Sequence, residues 1–249
     1  MRIIIVLTII VLTGMRFLRP ISENVSRDQK PNGIAVVELF TSEGCSSCPP
    51  ADEAVIDISN EYKSNVFIIG FHVDYWNSLG WKDAFSNASY TERQKQYAAV
   101  LGLNSIYTPQ VIVNGRNEFV GSDKKRLHDA VNQELKKTTV STIEIIAKKN
   151  HDNRVNVAYK IKPNSNDVLN IILVQLHTQT DVKKGENSGR QLHHINIARD
   201  LKTISAVNDR GNIYLSIPDG LAAKDCQVIA YLQNKQSLEI TGAVGVVVE

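Results

Sequence analysis

The chain has 249 residues, 43% hydrophobic and 22% charged, with a formal net charge of +2. That is ordinary globular composition, sufficient for one large domain or two small ones. The near balance of charge gives no sign of a nucleic-acid or anionic-surface partner.

The first twenty residues stand apart. Arg2, Arg16 and Arg19 supply three of the 28 basic residues without any acid, which leaves 25 basic against 26 acidic in the remainder. After Met1-Arg2, residues 3–12 read I-I-I-V-L-T-I-I-V-L. A run of about ten apolar residues suits a signal-peptide core and is short of the about 20 that a span needs. Residues 13–17 offer no clean small-x-small cleavage pattern, so residues 1–20 are read as a signal peptide or an uncleaved anchor. A membrane tether through residues 3–18 is the second form of that reading. The expected location is extracytoplasmic, periplasmic or cell envelope, where disulfides persist. Residues 21–33 are polar, contain Pro31 and read as a linker.

Residues 34–40 form a compact apolar run with one acid, Glu38. They end at T-S-E-G and predict a buried strand. Cys45-Ser46-Ser47-Cys48 follows. Ala51, Ala54, Val55, Ile58 and Tyr62 then recur at helical spacing, with Pro49 and Pro50 suited to a first turn that needs no N–H. Residues 65–73 predict a second buried strand. Strand, CxxC, helix and strand make a βαβ unit with a parallel pair.

Residues 74–106 interrupt the pattern with an aromatic-rich insertion. Ser89-x-x-Glu92 reads as a capping box for a helix from about Tyr90 to Leu101, stopped by Gly102. Pro109 opens a short apolar run, Asn114-Gly115 marks a hairpin, and Ser122 is read as the cap of a last helix carrying Leu127, Val131 and Leu135. From residue 140 the segments are strand-like, with turn clusters near 150, 164 and 210. They predict an all-β antiparallel sandwich as a second domain, 140–249, after an α/β domain at 34–139.

The order strand–CxxC–helix–strand–insertion–Pro–hairpin–helix resembles the thioredoxin fold. The resemblance implies a cis bond at Thr108-Pro109, beside the cysteines. The stretches ELFTSEGCSSCPPAD, HVDYWNSLGWKDAFS, YTERQKQYA, YTPQVIVNG and GENSGRQLHHINIARDL together resemble the exported thioredoxin-like family catalogued as domain of unknown function 1223. That resemblance covers nearly everything after residue 33.

The chemistry is argued from the residues. Cys45 precedes a helix N-terminus, where unpaired N–H groups and the dipole favour an anion. A thiolate is the nucleophile of disulfide exchange. Cys48, a turn further and less exposed, would resolve the mixed disulfide. Glu43, Asp52 and Glu53 oppose the thiolate. Three alternatives stay open for the pair: redox exchange with protein or peptide thiols and a redox partner, a structural disulfide, or a two-thiolate Cu(I) clip. Zinc needs two further ligands at motif spacing, and none stands near. No organic cofactor is implied. The rival function is a non-catalytic binding module or an envelope structural protein.

Four supporting residues complete the expected site. Glu38 is either a proton shuttle, as the thioredoxin pattern suggests, or a solvated edge carboxylate. Thr108 and Pro109 would present backbone to an extended substrate. Asp74, at the carboxyl end of the second strand, is a weak candidate proton acceptor. Tyr75, Trp76 and Trp81 are read either as a groove wall or as a packed insertion. His193-His194 is read as a solvated strand or loop, since adjacent strand residues face opposite ways. Cys226 is read as a small buried hydrophobe.

Overall fold

The computed structural model describes residues 33–139 and 141–249. The signal or anchor reading of residues 1–20 and the linker up to residue 32 lie outside the described residues. Among those described, no helix is long and apolar enough to cross a membrane.

The first half follows the expected order. Strand β1 is Ala35–Thr41, helix α1 Pro49–Glu61, β2 Val66–His72, α2 Ala88–Leu101, β3 Gln110–Val113, β4 Asn117–Val120 and α3 Lys124–Leu135. All seven β1 residues are buried, because β1 pairs on both sides and is covered on both faces. It runs parallel to β2 and antiparallel to β3. The β3–β4 turn carries φ of 49° at Asn114 and 74° at Gly115, as an Asn-Gly hairpin requires. A Cβ on Gly115 would meet the Leu238 carbonyl, so the turn is also pressed against the far end of the chain.

The helix caps fall beside the expected residues. Asn87, not Ser89, caps α2, accepting from the Ser89 N–H, and Gly102 closes the helix at φ 68°. Asp123, not Ser122, caps α3 by accepting from the Arg126 N–H at 3.0 Å. In both cases a side chain one or two positions away reaches the orphan N–H with better geometry.

The second half is strand-rich, with one 3-10 turn at Ala223–Asp225, and it shares a sheet with the first half. Its strands are β5 Thr142–Lys149, β6 Arg154–Lys162, β7 Asp167–Asp181, β8 Gln191–Ser205, β9 Arg210–Ser216, β10 Cys226–Asn234 and β11 Ile240–Val247. Four of them extend the first sheet into one of eight strands, ordered β11-β10-β7-β8-β2-β1-β3-β4. The junction is a parallel contact of β2 with β8 at Gly70 and Ile197. The remaining three, β5-β6-β9, form a small antiparallel sheet.

The physical reason lies in strand length. Strands β7 and β8 have 15 residues each, about 50 Å at strand rise. Residues 167–175 of that hairpin pair with β10, and β8 meets the free edge of β2 where Gly70 faces Ile197.

Three apolar clusters hold the layers. Val37, Leu39, Val55, Ile58 and Leu127 pack α1 and α3 on one face of the sheet. Phe40, Phe71, Tyr97, Ile172 and Tyr231 pack the opposite face around α2. Val155, Val157, Ile171, Leu215 and Val228 pack the small sheet on β7 and β10. The α2 layer therefore spans both halves. Cys226 is buried in the third cluster, as expected, and burial pushes its thiol up to about 11.

Candidate active site

The site sits where β1 passes into α1. Seven residues join them, Ser42 through Cys48, and the Cys45 N–H turns back onto the Ser42 carbonyl at 3.1 Å. Cys45 and Cys48 form a disulfide, with Cα atoms 5.4 Å apart. Gly44 allows this loop to pass beneath Trp76, since a Cβ there would stand 3.1 Å from that residue's own Cβ. The Trp76 indole N–H donates to Thr108 Oγ1 at 2.8 Å, and the Thr108–Pro109 bond is cis. Trp76 therefore links the cysteine loop to the proline loop.

The expected exposure of Cys45 is not found. Both cysteines are wholly buried, while Ser46 and Ser47 are exposed. The cover comes from the tip of the β7–β8 hairpin. Buried Asn187 donates to the Glu43 and Cys45 carbonyls, both at 2.9 Å. Glu186 accepts from the Ser46 N–H at 3.1 Å. Gly185 packs against Trp81, whose indole N–H donates to Glu43 at 2.8 Å.

The cysteine loop and the first turn of α1 carry a cluster of buried acids and imidazoles through Glu43 and Asp52. Glu43 is wholly buried, and its backbone N–H donates to Asp83 at 2.9 Å. Asp83 also faces His72 Nδ1 at 2.7 Å. His194 stands between two carboxylates, with Nδ1 3.3 Å from Asp52 and Nε2 3.6 Å from Glu43. These are ion-pair separations without hydrogen-bond alignment. The His72 and His194 rings meet edge to face at 4.8 Å.

Burial works against charge on each of these groups, and the neighbours decide the outcome. Burial would raise the Glu43 carboxyl, yet His194, Thr180 and Trp81 hold it below the ordinary value. Burial would likewise raise Asp83, but His72 and two backbone N–H donors hold it low. Burial would lower His194, and Asp52 with Glu43 overcomes this and pushes it up to about 10. The two carboxylates thus favour the imidazolium form of His194.

The other expected site residues lie elsewhere. Glu38 is 1% exposed, so it is no solvated carboxylate. It points to the α2 face, away from α1, and is clamped by Arg93 through contacts of 2.9 and 2.7 Å. Asp74 is half-buried and accepts from the Thr91 hydroxyl at 2.6 Å, a local tie at the start of the insertion. The acids tied to the cysteine loop are Glu43, which lies on it, Asp52, whose N–H donates to the Cys48 carbonyl, and Asp83, which accepts from the Glu43 N–H. His194 is buried rather than solvated, while His193 is exposed, as alternation along a strand requires. Asp83, Glu186 and Asn187 were not singled out as site residues, although all three fall inside the stretches that carry the family resemblance.

The fold and the site together define a CxxC protein whose disulfide lies at the first strand-to-helix junction, linked through Trp76 to a cis-proline loop. Residues 36–233 match the family described as "Protein of unknown function (DUF1223)", and the chain belongs to that family. It is similar to a thioredoxin of Methanocaldococcus jannaschii, 29% identical over 100 residues, which are 40% of this chain and 94% of the thioredoxin. It is also similar to a crystal structure of a protein from Agrobacterium tumefaciens. That match has 29% identity and a TM-score of 0.65, and it covers 86% of this chain and 95% of the other.

Proposed function

We propose that the protein is an extracytoplasmic thiol-disulfide oxidoreductase acting through Cys45 and Cys48. The observation that carries this reading is the disulfide at the β1–α1 junction, joined by Trp76 to the cis Thr108–Pro109 loop. The similarity to a thioredoxin supports it. In the reduced form, the Cys45 thiolate attacks a protein or peptide disulfide and forms a mixed disulfide, releasing one substrate thiolate. Cys48 then attacks the Cys45 sulfur. The substrate leaves with both sulfurs reduced, and the Cys45–Cys48 bond reforms. A second dithiol protein returns the pair to the reduced state. The thioredoxin-like reading of residues 34–139 and the export of the chain belong to this proposal. The Ile3–Leu12 run after Arg2 supports export, as does the disulfide itself.

One observation favours a second reading. Both cysteines are wholly buried, as in a structural disulfide that braces a non-catalytic binding module. Cys48→Ser separates the two. Exchange predicts that this variant accumulates mixed disulfides through Cys45 when incubated with cell-envelope extract, seen as bands that a reductant collapses. Absence of such bands, with Cys45 protected from alkylation, favours the brace.

A further inference from the structure

The charges around the disulfide are unfavourable to its proposed chemistry. Glu43 lies two residues before Cys45. Asp52 lies four residues past Cys48, one turn along the same side of α1. Asp83 is bonded to the Glu43 backbone and Glu186 to Ser46. Glu43, Asp52 and Asp83 are all buried. The helix gives little in return. Pro49 and Pro50 remove two N–H groups from its first turn, and the N–H groups of Ala51 and Asp52 both donate to the Cys48 carbonyl. The Ser47 hydroxyl stands 3.3 Å from Cys45 Sγ and offers one donor, but the buried carboxylates on the flanking residues work against a thiolate and raise its pKa.

We propose that His194 is a positioning residue for the Cys45–Cys48 pair: its imidazolium, clamped between Glu43 and Asp52, offsets the buried acids and so makes the thiolate accessible. This deepens the thiol-disulfide reading and rests on it. The groups facing His194 are Glu43 from the loop after β1, Asp52 from α1, His72 from β2, and Phe85 from the insertion. Thr180 of β7 reaches Glu43. His72 is engaged by Asp83 at 2.7 Å, which leaves His194 as the cation set against Glu43 and Asp52. The His194 ring nitrogens stand 3.3 Å from Asp52 and 3.6 Å from Glu43, within the range where opposite charges attract strongly at a buried site. Both carboxylates favour the protonated ring. The residue comes from β8, so the second half of the chain sets the chemistry of a site built by the first.

The test uses full-length protein in glutathione redox buffers, together with the pH dependence of iodoacetamide reaction after reduction. His194→Gln is expected to raise the midpoint of Cys45 alkylation by about one pH unit or more. At pH 8 it should shift the dithiol–disulfide equilibrium about tenfold toward the disulfide, equivalent to about 30 mV. Glu43→Gln, which removes an opposing charge, is expected to move both readouts the other way. It reads the same coupling if His194→Gln does not fold. Exposed His193→Gln should change neither. A wild type that exchanges reversibly, beside variants with unchanged midpoint and equilibrium, would overturn the role of His194 and leave the oxidoreductase reading standing. A wild type that does not exchange with glutathione would overturn both.

Discussion

Arg93→Leu is expected to cost the fold about 3–5 kcal/mol, the range for removing one partner of a buried ion pair. Arg93 is 8% exposed and Glu38 1%. The guanidinium meets both Glu38 oxygens, at 2.9 and 2.7 Å, and reaches the Tyr231 hydroxyl at 2.7 Å. That hydroxyl donates to Glu38 in turn at 2.8 Å. Glu38 belongs to β1, Arg93 to α2 and Tyr231 to β10, so the network fastens the α/β half to the distal strands. Without Arg93, the Glu38 carboxylate is buried without a countercharge. Urea unfolding measures the loss as a lower midpoint at unchanged slope. The double variant Glu38→Leu/Arg93→Leu should lose less than Arg93→Leu alone, because no charge is left stranded. A loss under about 1 kcal/mol for the single variant would show that the network does not hold the halves together.

Asn187→Ala is expected to act on stability and reactivity together. Its amide donates to the Glu43 and Cys45 carbonyls from a wholly buried position. Removing a buried donor of this kind costs about 1–3 kcal/mol, and here the loss falls on the contact that closes the hairpin tip over the cysteines. The variant should therefore show faster alkylation of Cys45 after reduction, beyond what its lower stability produces. Comparing alkylation rates with the unfolding free energy of the same sample separates the two effects. An unchanged rate would mean that access to Cys45 does not depend on the 182–190 tip.

These two sites also mark what the sequence disclosed and what it withheld. The β1 strand, α1, the CxxC corner and the Asn114-Gly115 hairpin were legible because each has a local signature: a continuous apolar run, a helical repeat after two prolines, a turn dipeptide. The cis bond at Pro109 followed from the resemblance that those elements support. The pairing of β8 with β2 was not legible, because alternation along a strand shows which face is buried and nothing about its neighbour. His194 was misjudged for the same reason. Alternation did separate His193 from His194, but the burial of the second depends on Glu43 and Asp52, more than 140 residues away. For Glu38 the thioredoxin pattern suggests a proton shuttle, and the alternative reading is a solvated edge carboxylate. Its direction on β1 sends it to Arg93 on the other face.

Cys45 and Cys48 either exchange disulfides or brace the loop. The reduction potential of the purified protein, equilibrated against dithiothreitol and glutathione couples, tests this most directly. An exchange-active pair is expected to give a reversible value above about −300 mV. A value below that level, typical of disulfides that resist the glutathione pool, would contradict the exchange reading.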